Sequence, residues 1–208
     1  MKTTCAKPTS MWQRTDKKKP NGKAIILQNL PKPGTPAKHI LRDCGQCTGC
    51  RIRRRMDLAM RLSHEAHFYE NTWFATLTYN DENLPHGKSL VADHITKFIK
   101  DLRNQLRKTK EKVRYFGVGE YGGDFGRPHY HMILFGPQLA DKKYHYSKPD
   151  PRFYSREFIQ MFGNPSALTW YRSETLEKAW KKGHADVTTV SEATMQYVAK
   201  YHVEKVTG

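Results

Sequence analysis

Arg114 to Gly136 read "RYFGVGEYGGDFGRPHYHMILFG", and this stretch decides the fold. Two runs rich in aromatic and β-branched residues, "KVRYFGVGEY" and "HYHMILFG", flank the glycine-rich "GGDFGRP". That pattern predicts two antiparallel strands joined by a turn. On a strand, residues i and i+2 share a face, so His129 and His131 point together while Tyr130 points away. Glu120 closes the first strand and His129 opens the second, with residues 121–128 between them. The hairpin therefore makes carboxylate and imidazoles cross-strand neighbours. Two imidazoles and one carboxylate on one sheet face form a three-ligand set for a divalent cation, with positions left for water or substrate oxygens. A lone His-x-His reads as polar sheet surface; Glu120 at hairpin distance favours the metal.

Outward from the hairpin, "NTWFATLTY" reads as a strand, rich in aromatic and β-branched residues. "VADHITKFIKDLRNQLRK" predicts an amphipathic helix with Ile95, Phe98, Ile99, Leu102 and Leu106 inward. An earlier helix is predicted from about Thr48 to Tyr69, with Ile52, Met56, Ala59, Met60 and Ser63 inward. Arg51, Arg54, Arg55 and Arg61 lie on its opposite face. Beyond Pro137 a polar loop is expected to about Pro151, then short helices over Ser155–Phe162 and Ser173–Lys181. "HADVTTV" reads as a last strand and "SEATMQYVAKYHVEK" as a last helix, with Ser191 as N-cap. The order predicts an α+β fold with helices packed on a mainly antiparallel sheet.

Residues 1–43 hold ten Lys and Arg, two Asp and five prolines, and read as a basic extended arm. Only "KAIILQNL" within them suggests a strand. The expected organisation is thus an arm over 1–43 and one domain over 44–208.

The chain has 36 Lys and Arg against 20 Asp and Glu, a net charge of +16, and is 38% hydrophobic. Such a field attracts polyanions, nucleic acid first among them. No apolar run is long enough to span a bilayer, and the N-terminus has no secretory apolar core. Three of the four cysteines fall between Cys44 and Cys50, a poor disulfide framework that points to a reducing compartment.

The last helix carries "YVAKY". Tyr197 and Tyr201 sit at i and i+4 on one helix face. Such pairs are more often packing residues. A phenol becomes a competent nucleophile when a base takes its proton or a metal offsets the charge of the phosphate it attacks. Lys200 can neutralise a phosphate or protonate a leaving oxygen. A metal site and paired tyrosines in a basic chain together suggest phosphodiester transesterification.

"FATLTY" (Phe74–Tyr79), "HYH" and "YVAKY" occur in the order of the rolling-circle replication initiators of the HUH endonuclease superfamily. "CGQCTGCR", "TLTYNDENLP" and "GEYGGDFGRPHYHMILFG" resemble more closely the initiators of microviruses, particularly the gokushovirus branch, from about Cys44 onward. The resemblance implies a central antiparallel sheet of about five strands flanked by helices. It implies Mg²⁺ or Mn²⁺ on Glu120, His129 and His131, and tyrosine attack that leaves a 5′-phosphotyrosine and a free 3′-OH. Tyr197 and Tyr201 would alternate, with Lys200 assisting. Single-stranded DNA at a phage origin is the implied partner, with host replication proteins, in the cytoplasm of a bacterial host. Tyr130, only partly hydrophobic, departs from the motif's middle position. More C-terminal chain than "KVTG" is expected, so the sequence reads as truncated.

Thr76, Thr78, Arg127, Arg51 and Arg54 are the candidates for DNA contact. Trp73, Tyr79 and Phe125 could stack on bases, although Trp73 and Tyr79 suit a core better. Cys44, Cys47 and Cys50 suggest zinc, with Cys5, His39 or His64 as a fourth ligand, against buried thiols at a helix start. Three other readings stand beside the initiator: a transposase or relaxase of the same chemistry, a non-catalytic single-strand platform, and a zinc-dependent nucleic-acid binder.

Overall fold

The structure is a computed structural model describing residues 5–109, 111–122, 126–148 and 168–206. The expected helix over Ser155–Phe162 lies outside the described residues, as does Phe125. The chain divides into two compact units, one ending at Arg54 and one running from Arg55 to Val206.

The first unit holds β1 (Thr9–Lys18), β2 (Ala24–Leu27) and β3 (Ala37–Arg42) in an antiparallel sheet of order β2-β1-β3. A segment that reads as an extended arm is therefore folded locally. Its residues alternate little in polarity, and none of residues 5–49 is buried. The legible signal was Asn21–Gly22, a strong hairpin dipeptide. The Gly22 amide donates to the Lys19 carbonyl at 2.8 Å with φ +77°.

Helix α1 (Thr48–Ala66) follows, then β4 (Thr72–Tyr79), α2 (Ala92–Gln105), β5 (Arg114–Tyr121), β6 (Pro128–Phe135), β7 (Lys143–Lys148), β8 (Leu168–Arg172), α3 (Glu174–Trp180), β9 (Gly183–Thr189) and α4 (Glu192–Val206). The fold is α+β. The large sheet has order β5-β6-β4-β9-β8-β7, with antiparallel pairing throughout. It has six strands because β7 forms inside the expected polar loop. The aromatic "KYHYSK" of β7 pairs with the equally aromatic "LTWYR" of β8.

Central strands β4 and β6 are covered on both faces, which is why both read as near-continuous apolar runs. One face packs Trp73, Leu77, Tyr79, Tyr130, Met132 and Leu134 against Phe98 and Leu102 of α2 and Trp180 of α3. The other packs Phe74, Val118, Ile133 and Trp170 against Leu58 and Leu62 of α1 and Met195 and Val198 of α4.

The inward face of α1 differs from the expectation. Met56 and Met60 are about half exposed, whereas Leu58, Ala59 and Leu62 are buried. The helix offers two apolar stripes, and the sheet takes the one with leucines at i and i+4. Helix α2 buries Phe98, Ile99 and Leu102, followed by Leu106, as its periodicity predicts. Trp73 and Tyr79 are core residues, with the Trp73 indole donating to the Pro137 carbonyl at 2.9 Å.

Candidate functional site

Strand register builds the site. Glu120 on β5 lies opposite His129 on β6, and His131 lies opposite Val118. On the far side of β6, His129 faces Thr78 and His131 faces Thr76 of β4. Strand β5 can place Glu120 here because its other face is glycine: a Cβ at Gly119 would stand 2.7 Å from the Leu90 side chain. Tyr130 points to the opposite core, as alternation requires. Its hydroxyl donates to the Val91 carbonyl at 2.9 Å and accepts from the Val91 amide at 2.8 Å, at the start of α2. The departure from a hydrophobic middle residue therefore ties the histidine strand to α2 and leaves the histidine face untouched.

His131 is fully buried, and its Nε2 lies 3.1 Å from Glu120 Oε2; His129 Nε2 lies 3.7 Å from the same oxygen. The three prospective ligand atoms lie within 4.8 Å of one another. His129 Nδ1 is 3.1 Å from the Arg127 carbonyl, which can only accept, so Nδ1 carries the proton. In neutral His129 the Nε2 lone pair then faces a carboxylate lone pair, an arrangement that a cation between them resolves. His131 Nδ1 contacts the Thr76 hydroxyl at 3.1 Å. A hydroxyl can donate or accept, so Thr76 supports His131 with Nε2 protonated or with Nε2 ligating. The donor set fits a divalent metal ion such as Mg²⁺ or Mn²⁺, with nitrogen ligands favouring the latter.

Helix α4 crosses this face. Its N-terminus is fixed by a reciprocal cap: Ser191 Oγ accepts from the Thr194 amide at 3.3 Å, and Thr194 Oγ1 from the Ser191 amide at 2.9 Å. One turn inward, the Tyr197 hydroxyl donates to Glu120 Oε2 at 2.8 Å. The Tyr197 ring stands edge-on to His131 with centroids 5.1 Å apart, and the Tyr201 ring lies 4.9 Å from Tyr197. Lys200 Nζ lies 5.6 Å from the Tyr201 ring centre. Burial would raise the Glu120 pKa, but bonds with His129, His131 and Tyr201 outweigh it and hold the carboxyl far below its usual range. Burial, then bonding with Glu120, pushes the Tyr197 phenol well above its usual value.

The remaining candidates occupy varied surroundings. Arg127 bonds the Tyr79 carbonyl at 2.8 Å and Asp81 at 2.8 Å, with about a third of its side chain exposed. Thr78 sits between His129 and His184 in register. Arg51 and Arg54 belong to the first unit and are exposed. Sequence reasoning did not find the role of Thr76 as a partner of His131, which depends on a pairing across 55 residues of sequence. Nor did it find the row Asp186–Arg172 beyond Thr76, closed by a 3.2 Å ion pair.

Cys44, Cys47 and Cys50 come together with Cys5, their sulfurs within 4.8 Å of one another. His39 instead contacts Ser10 Oγ at 3.1 Å, and His64 is exposed. All four cysteines are free thiols.

Comparison with known proteins now decides the family. Residues 72–206 match the family model for replication-associated protein ORF2. The chain belongs to this family. It is 33% identical over 166 residues to replication-associated protein ORF4 of Chlamydia phage 1, covering 78% of this chain and 38% of the relative. It is 30% identical over 168 residues to replication-associated protein VP4 of Bdellovibrio phage phiMH2K, covering 78% and 48%. It is 26% identical over 211 residues to replication-associated protein ORF2 of Spiroplasma virus 4, covering 97% and 61%. The chain thus spans less than two thirds of the length of each of these relatives. No solved structure matches it. Among the described residues, no helix is long and apolar enough to cross a membrane.

Proposed function

We propose that this chain initiates rolling-circle replication of a phage genome by nicking and rejoining single-stranded DNA through a phosphotyrosine. The observation that carries the reading is the 2.8 Å bond from the Tyr197 phenol to Glu120 Oε2, the oxygen that also faces both histidines. Phenols and candidate metal ligands converge on one point of the sheet. A core tyrosine pair has no need of that point.

In this reading Glu120, His129 and His131 hold one Mg²⁺ or Mn²⁺. Such an ion would offset the charge of the scissile phosphate and draw on the Glu120 charge that retains the phenol proton. Thr76 and the Arg127 carbonyl keep the two imidazole rings aimed at Glu120. The attacking phenol loses its proton and bonds to phosphorus. The bond from phosphorus to the 3′ oxygen breaks, and that oxygen takes up a proton, for which Lys200 is the candidate donor. The 5′ end stays on tyrosine, and the free 3′-OH primes synthesis. When a later 3′-OH attacks the phosphotyrosine, the phosphodiester re-forms and the phenol is released. One phosphoester replaces another at each step, so joining needs no ATP. Tyr197 and Tyr201, stacked on one helix face, provide a second phenol for the second transfer. Thr78, Arg127, Arg51 and Arg54 are the proposed DNA contacts.

The test is covalent capture. Single-stranded oligonucleotides tiling the genome that encodes this chain are incubated with it and Mn²⁺, then run on denaturing gels. A shifted protein–DNA band is expected, abolished by EDTA and by a Tyr197→Phe, Tyr201→Phe double substitution. Binding without any covalent band would favour the non-catalytic platform instead.

A further inference from the structure

We infer that Cys5, Cys44, Cys47 and Cys50 form a structural tetrathiolate zinc site that staples the small N-terminal sheet. Four thiols from two separated parts of the chain place their sulfurs within 4.8 Å of one another. The backbone is arranged around them as for bound thiolates. The Ala6 amide points at Cys47 Sγ at 3.4 Å, and the Cys44 amide at Cys5 Sγ at 3.3 Å. The Gln46 and Cys47 amides point at Cys44 Sγ at 3.5 and 3.3 Å. The turn that folds those last two amides back requires Gly45 at φ +76°, a conformation that side chains rarely adopt. Amide N–H groups directed at sulfur spread the negative charge of metal-bound thiolate and orient the ligand. Four thiolate ligands in a closed set are the donor chemistry of structural zinc.

The need for a staple is a second, separate observation. None of residues 5–49 is buried, and Cys50 is the buried residue of the group. A three-stranded sheet without a core is not stable on its own. The cysteines sit where a clip has most effect. The β1–β3 ladder ends at the pair Thr9–Arg42; Cys5 lies just before it, Cys44 just after, and Cys47 and Cys50 lead into α1. Joining Cys5 to Cys44 closes a long loop of chain, the case in which a cross-link restricts the unfolded state most.

The experiment uses the full chain, purified reduced and without chelators, with metals measured by plasma mass spectrometry. One zinc per chain is expected, and it should remain in a His129→Ala, His131→Ala variant, which separates this site from the sheet site. Thiol titration with Ellman's reagent should find the four cysteines protected until a strong chelator is added. Cobalt substitution should produce the thiolate-to-metal charge-transfer band of a tetrahedral sulfur site. Cys5→Ser should lose zinc to a competing chelator at concentrations that leave the parent protein loaded. Should Cys5→Ser fold poorly, the cobalt spectrum and thiol protection of the unsubstituted protein still decide. Four thiols reactive without chelator, disulfides among them, stoichiometric iron, or zinc lost with the histidines would overturn the inference.

Discussion

At the scale of single residues, the candidate site was largely legible and its support was not. Period-two alternation and one glycine-rich turn are local facts, so Glu120, His129 and His131 could be aligned without knowing any other strand. The 3.1 Å contact of Thr76 with His131 needs β4 to pair with β6 across the sheet, which no local pattern announces. It carries a prediction. Thr76→Val keeps the shape and removes the hydroxyl, so Mn²⁺ affinity, read by calorimetry, should fall about 10–100-fold with the fold intact by circular dichroism. His129→Ala removes a ligand outright and should cost on the order of a thousandfold in the rate of covalent capture.

At the scale of elements, the lesson lies in α1 and the edge strands. Helix α2 shows one apolar stripe and was read correctly. Helix α1 shows two, and methionines at 56 and 60 are as apolar in sequence as the leucines that win. What distinguishes them is fit to Phe74 and Val198 across the interface, a tertiary fact. Leu62→Ala should therefore cost about 2–5 kcal/mol in urea unfolding, against less than about 0.5 kcal/mol for Met60→Ala. Strands β7 and β8 escaped because their tyrosines and tryptophan alternate with Lys, His and Thr rather than with aliphatic residues.

The entry to α3 carries a pH signature. Burial would raise the Asp141 pKa, but bonds from Ser173 Oγ and the Thr175 amide, each at 2.7 Å, hold it below its usual value. A depressed carboxyl stabilises the fold above its unfolded pKa, and that contribution is lost as pH falls through the folded one. Asp141→Asn should thus lower Tm at pH 7, with the gap to the parent closing below about pH 4. A gap that stays constant down to about pH 2, below both carboxyl pKa values, would mean the carboxylate charge contributes nothing.

At the scale of the whole molecule, charge and family converge on nucleic acid. A net charge of +16 sets the field, and membership of the replication-associated protein ORF2 family supplies the context. The N-terminal sheet was illegible for a thermodynamic reason: a segment with no buried residues gives no hydrophobic pattern to read, and its proposed organiser is a metal. If the field drives binding, affinity for single-stranded DNA should drop steeply between about 50 and 200 mM salt, with a linear log–log slope. The proposed chemistry is tested most directly by isolating the covalent protein–oligonucleotide species formed with Mn²⁺, digesting it, and locating the nucleotide by tandem mass spectrometry. The account predicts a phosphodiester on the phenolic oxygen of Tyr197 or Tyr201. A nucleotide on any other residue, or capture that persists in the Tyr197→Phe, Tyr201→Phe variant, would contradict it.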